Sequence, residues 1–187
     1  MKNLSQVRED INRIDNVLHA QMDARMQCSD AVARAKLQTK DPVYKPKREQ
    51  EILTRFEDDC YYQRFMRKVM QLSRHYQYGM FLKESETEPE FLSQTQFLTG
   101  DGHACDICVK LQADATCENA MNQTQMLSVI SDWFADIRSL KVEGDEIVFV
   151  AHVTQADREE TLVCLYMLYK ESLKCTIEKQ EEIDGNH

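Results

Sequence analysis

No Gly or Pro occurs before Pro42, and within that stretch Leu4, Val7, Ile11, Ile14 and Leu18 recur at intervals of three and four. That spacing stacks the five side chains on one face of a helix. It predicts a single helix from about Leu4 to Gln38, roughly 50 Å long at ~1.5 Å per residue. A small domain is hardly wider than ~30 Å, so such a helix is expected to pack on a second chain. The same face continues through Met22, Arg25, Ser29, Val32 and Lys36. Arg25 and Lys36 are close to three full turns apart, so two cations share the stripe that ought to be buried. Taken alone, they also fit a helix end that runs out into solvent.

Pro42 and Pro46 end this helix and start the next, because a first-turn proline gives up no needed N–H. A second helix is expected from about Lys47 to Phe56, a turn at Glu57 to Cys60, and a third helix from about Tyr61 to Phe81. The third helix has an apolar face of Tyr62, Phe65, Met66, Val69, Met70, Tyr76 and Met80, with Ser73 and Gln77 on it one turn apart. Polar groups in a buried stripe need partners, and satisfied core hydrogen bonds would account for this pair by itself. The acidic stretch from Lys83 to Glu90 has no apolar residue and reads as a linker.

Beyond the linker the pattern is mixed. "HACDICVKLQA" alternates like a strand, and "ENAMNQTQMLSVISDWFADI" has helical periodicity. "SLKVEGDEIVFVAHV" reads as a hairpin turning at Gly144-Asp145. "QADREETLVCLYMLYKESL" reads as an amphipathic helix and "CTIEK" as a last short strand. The expected architecture is a three-helix unit over 1–82, a linker over 83–90, and an acidic β-α-β-β-α(-β) sandwich over 91–187.

Charge supports that division. Residues 1–84 carry 16 Lys/Arg against 12 Asp/Glu, and residues 85–187 carry 7 against 20. The larger, negative excess repels phosphate and argues against nucleic acid as a partner. No apolar run approaches a bilayer span, and the first residues are charged where a signal peptide needs an apolar core. A cytoplasmic protein without membrane partners is therefore expected. Seven cysteines in such a chain read as reduced thiols. His103, Cys105, Cys108 and Cys117 invite a metal reading, but in a strand Cys105 and Cys108 point to opposite faces and cannot converge on one ion. Buried structural cysteines fit better.

Arg25, Lys36, Arg48, Glu49, Ser73 and Gln77 are polar residues from three helices at positions where apolar ones were expected, and Arg8 stands at the edge of the first seam. A bundle lined this way holds a positive cavity with one carboxylate. Guanidinium forks match the oxygens of a dicarboxylate. Lys36 and Gln77 each have donors for a neutral oxygen lying between them.

Residues 4–81 resemble the all-helical chorismate mutase family, through "LSQVREDINRIDNVL", "ARMQCSDAVARAK", "PVYKPKRE" and "LSRHYQ". The resemblance implies an intertwined homodimer with two equivalent sites, each receiving one arginine from the neighbouring subunit, by position Arg8. It implies that Arg25 and Arg48 hold the substrate carboxylates with help from Ser73. Lys36 and Gln77 would face the ether oxygen of the breaking bond, and Glu49 would accept from the ring hydroxyl. Lys45 stands where the family usually has an acidic residue. The change is tolerable if that position binds through its backbone N–H, and affects affinity or pH dependence if the side chain matters. The joint between the second and third helices is also shorter than is common.

The implied reaction is the pericyclic conversion of chorismate to prephenate, with no nucleophile, metal or cofactor. An isochorismate pyruvate lyase on the same scaffold would use a pocket of nearly the same charges, and a non-catalytic dimer is the third reading. Glu49 favours the mutase, because chorismate offers it a hydroxyl. Chorismate mutases are sometimes joined to regulatory domains with this β-α-β-β-α-β order that bind aromatic amino acids. A domain that only stabilises the dimer explains the tail equally well.

Overall fold

The computed structural model describes residues 3–55, 57–85, 87–99 and 104–180. Helix α1 (Leu4–Thr39) opens with a capping box: the Asn3 side chain accepts from the Gln6 backbone and the Gln6 side chain accepts from the Asn3 backbone. It closes on Lys40 in the left-handed conformation, whose N–H returns to Lys36. Helix α2 (Pro46–Thr54) has its proline in the first turn, as the sequence implied, and buries Leu53. Phe56, the expected end of that helix, lies outside the described residues. Helix α3 (Cys60–Glu84) is capped by Asp59, whose carboxylate accepts from the Tyr62 N–H.

Two expectations for α3 need correction. The helix does not stop at Phe81 but continues to Glu84, and Pro89 starts a further short helix, α4 (Pro89–Thr95), so both ends of the 83–90 stretch are helical. A 3-10 turn (Gln96–Leu98) follows α4. The buried face also differs from the one read off the apolar residues. Tyr62, Phe65 and Tyr76 are exposed, whereas Val69, Met70, Gln71, Ser73, Arg74, His75, Gln77 and Tyr78 are buried. Helix α3 has neighbours on two sides, and its polar residues face them.

The C-terminal module runs β1 (Cys105–Gln112), α5 (Gln123–Trp133), β2 (Ile137–Glu143), β3 (Glu146–Val153), α6 (Arg158–Glu171) and β4 (Lys174–Lys179). Its sheet is antiparallel in the order β2-β3-β1-β4, the split β-α-β arrangement. The β2–β3 hairpin turns at Gly144-Asp145, and Gly144 has φ +57°. Period-two alternation sends Ile107, Val109 and Leu111 of β1 and Ile147, Phe149 and Ala151 of β3 to one buried face. Cys105 is buried and Cys108 only half-buried, as expected of strand residues on opposite faces. His103 lies outside the described residues.

Helix α6 needs a third correction. It is not amphipathic: Val163, Cys164, Leu165, Tyr166, Met167 and Leu168 are all buried in succession. A helix that is apolar all round must be covered all round. Here α6 packs against α5 and β4 of its own module and against α3 of the helical unit. Val43, Tyr44 and Tyr78 of that unit accordingly join the same core cluster as the sheet residues. No described helix is long and apolar enough to cross a membrane.

Candidate active site

The expected site residues come from α1, α2 and α3, and the structure treats them unequally. Arg8 lies on the exposed N-terminal half of α1, while Arg25 is half-buried. Arg48 pairs with Glu51 at 2.9 Å on an exposed surface. Lys45 pairs with Asp41 at 2.5 Å, also exposed. None of these four is drawn into a common cluster within the single chain.

The other four lie where α1 and α2 meet α3. The Lys36 ammonium donates to the Val43 carbonyl at 2.7 Å, which ties α1 to the bend before α2. Burial, followed by the like charge of Lys45, lowers its pKa below the usual lysine value, and the carboxylates of Asp41, Glu171 and Glu49 oppose that. Ser73 and Gln77 are both buried. Gln77 Nε2 donates back to the Ser73 carbonyl at 3.1 Å. The Ser73 hydroxyl and Gln77 Oε1 have no hydrogen-bond partner among the described residues. Such orphans are uncommon in folded proteins and call for a ligand, a water or a second chain. Glu49 is mostly buried and its Oε1 accepts from Arg74 Nη1.

Arg74 is the buried cation at this junction that the sequence did not disclose. It is buried on α3, one residue after Ser73, and its guanidinium serves two carboxylates. One edge donates to Glu49; Nε donates to Glu171 Oε2 at 3.1 Å. Glu171 Oε1 lies 3.0 Å from the same nitrogen but accepts no hydrogen bond. The guanidinium carbon sits 4.9 Å from the centre of the Tyr44 ring, so the cation is also covered by a π face. Burial works against its charge, but the Glu171 and Glu49 carboxylates outweigh that and hold its pKa above the usual value.

Glu171 ends α6 and is fully buried. Burial pushes its pKa up to about 7, with the neighbouring Glu49 charge adding to the rise and Arg74 and Tyr78 opposing it. The available signal was an acid that, with Lys170 before it, closes a run of large apolar and aromatic residues, "LVCLYMLYKE". A cleft of about 770 Å³ opens beside this cluster, with Lys36, Lys40, Tyr44, Tyr78, Tyr166 and Lys170 in its walls. Of the expected site residues only Lys36 lines it.

The first half of α1 completes the picture. Leu4, Val7, Ile11, Ile14, Val17 and Leu18 are 40–65 % exposed, an apolar row left uncovered by the described residues.

These features define an all-α module that gathers cations and unpartnered polar groups between its helices, followed by an α+β module packed on its third helix. Residues 7–78 match the family model described as chorismate mutase type II, and the rest of the chain is unassigned. No curated protein and no solved structure matches the chain. The family supports chorismate mutase activity in general, an isomerase of aromatic amino acid biosynthesis with chorismate as substrate.

Proposed function

We propose that the chain converts chorismate to prephenate in a site built from α1, α2 and α3 of one copy and closed by α1 of a second. The observation that carries this reading, beyond the family match, is a pair of buried orphan groups one turn apart on α3, at Ser73 and Gln77. The Ser73 hydroxyl and Gln77 Oε1 have no hydrogen-bond partner among the described residues, on the helix that packs against α1 and its Lys36. Preorganised polar groups waiting in a water-poor site are what a reaction without covalent catalysis requires.

The chemistry assigns each group a task. In the rearrangement the ether C–O bond breaks while a C–C bond forms, and negative charge builds on the ether oxygen. The Lys36 ammonium uses one of its three donors on Val43 and keeps two for that oxygen. Gln77 has a second N–H on Nε2 for the same purpose. Arg25 and Arg48 bind the two carboxylates, with Arg48 exchanging Glu51 for substrate and the Ser73 hydroxyl donating alongside. Lys45 contributes its backbone N–H. Glu49 uses one oxygen on Arg74 and offers the other to the ring hydroxyl.

The uncovered row on α1 supports a homodimer, because a second copy supplies the matching apolar row. The same docking carries Arg8 of each copy to the site of the other. The test is to mix purified protein with chorismate, follow loss of its ultraviolet absorbance and identify the product. Prephenate is expected. Pyruvate formed from isochorismate, with no prephenate from chorismate, replaces this reading with the lyase, and turnover of neither substrate replaces it with a non-catalytic dimer.

A further inference from the structure

We propose that Glu171 and Arg74 are positioning residues for Glu49, so that the last residue of α6 sets the carboxylate that meets the substrate hydroxyl. The C-terminal module is then a working part of the active site and not an appendage. The proposal rests on the mutase reading for the role of Glu49, and on the buried ion-pair cluster for the coupling.

Helix α2 holds Glu49 weakly by its own means. It has nine residues, buries only Leu53, and carries Glu49 in its first turn, where the Glu49 N–H returns to the Lys45 carbonyl at 3.1 Å. The charged end of Glu49 is held by Arg74, whose Nη1 donates to Glu49 Oε1. Orientation of Glu49 is therefore orientation of Arg74.

Arg74 in turn is fixed from the far side. A guanidinium is planar and its donors keep fixed directions, so a carboxylate on Nε dictates where Nη1 points. Glu171 supplies that carboxylate, and the Tyr44 ring covers the guanidinium face. Glu171 is itself anchored by its main chain, since its carbonyl accepts from Met121 N–H at 2.7 Å, and by the buried body of α6. The order of constraint thus runs from the core of the α+β module through Glu171 and Arg74 to Glu49.

The charges fit the same scheme. Without Glu171, Arg74 has a single carboxylate to bind and draws both Glu49 oxygens, leaving none for a substrate hydroxyl. With Glu171 in place, Arg74 donates to Glu49 Oε1 only and Oε2 stays available. A purely structural pair would not need the third member, because apolar residues of similar volume replace buried ion pairs with little loss of stability.

The experiment is a kinetic cycle in the full chain: wild type, Glu171→Gln, Glu49→Gln and the double variant, with chorismate as substrate. Residual rates are read with enzyme in excess, and folding is checked by circular dichroism. Glu171→Gln is expected to lower kcat about tenfold with KM within twofold. In the Glu49→Gln background the same change is expected to lower kcat by less than twofold, because its effect passes through Glu49. An equal loss in both backgrounds, or no loss in wild type, overturns the proposal while leaving the mutase reading intact. Glu171→Asp, which keeps the charge but withdraws it by one methylene, takes the place of the Gln variant if that chain does not fold, with the same expected loss. If wild type does not turn over chorismate, the mutase reading fails. The coupling is then judged by urea unfolding of the same four chains, where additive effects of the two substitutions overturn it and non-additive effects uphold it.

Discussion

Replacing Glu171 by Gln removes one proton-binding group and changes little in shape, so the pH dependence of stability isolates what that carboxyl does. In the folded chain burial raises its pKa from 4.5 to about 7. The folded state therefore keeps a proton that the unfolded state has already released between those two values. For a raised pKa the stabilising contribution is whole below about 4.5 and is lost as pH rises through about 7. At 1.36 kcal/mol per pH unit, a rise from 4.5 to about 7 amounts to about 3 kcal/mol. The groups facing Glu171 are Arg74, Glu49 and Tyr78, with Lys36 also feeling its charge, and all are common to both chains. The assay is urea unfolding at fixed protein concentration from pH 4 to 8, extrapolated linearly to water. Wild-type stability minus variant stability is expected to fall by about 3 kcal/mol across that range and to level off above pH 7. His75 works in the opposite direction, since burial lowers its pKa to about 4 and so makes stability rise with pH, but it is present in both chains and cancels in the difference. A difference that stays flat, or that grows with pH, refutes the account of Glu171 as a carboxyl whose burial outweighs its ion pair.

Lys36→Ala and Gln77→Ala are each expected to lower chorismate turnover by about 10²- to 10³-fold, equivalent to ~3–4 kcal/mol of barrier, without loss of helical circular dichroism; wild-type rates in either variant remove that residue from the mechanism. Mixing Arg8→Ala chains with Arg25→Ala chains restores part of the activity through heterodimers that hold one intact site, and absence of recovery after demonstrated chain exchange refutes the shared site. Ile14→Asp places a charge in the uncovered row of α1 and weakens self-association by roughly 2–3 kcal/mol per copy, seen as monomer in sedimentation velocity; an unchanged sedimentation coefficient assigns the contact to another surface. Gly144→Val destabilises the β2–β3 hairpin by about 1–2 kcal/mol in urea unfolding, through the positive φ alone, because nothing stands within 4 Å of a Cβ placed there.

Local grammar made much of the fold legible. The absence of breakers before Pro42 and the three-four spacing yield α1 nearly to the residue, because both signals act through the helix's own backbone and face. Gly144-Asp145 between alternating runs yields the hairpin for the same reason. Ser73 and Gln77 were readable as misplaced polar groups on an apolar stripe. Arg74 was not readable, because what makes it unusual is a partner 97 residues away in sequence. Nor does periodicity show how many neighbours a helix has. It assigned α3 one buried face, whereas α1 and α6 both pack on it and leave Tyr62, Phe65 and Tyr76 outside. It also read α6 as amphipathic, when the run Val163 to Leu168 needed cover on every side.

That need for cover explains why the two modules are joined as they are. An apolar helix such as α6 fits between a sheet and a second helical layer, and α3 supplies the layer. The polar contacts around it fix the docking angle: Gln71 donates to Asp132 at 2.8 Å, and His75 stacks on Trp133 with ring centres 3.7 Å apart. Helix α3 thereby carries two sets of residues with different duties. Gln71, His75 and Tyr78 face the C-terminal module, and Ser73 and Gln77 are left for the site. Arg74 is bonded to both sides at once, to Glu171 of α6 and to Glu49 of α2. Any ligand or partner that slides α6 along α3 must therefore move the Glu49 carboxylate, since no slack separates them beyond one guanidinium group.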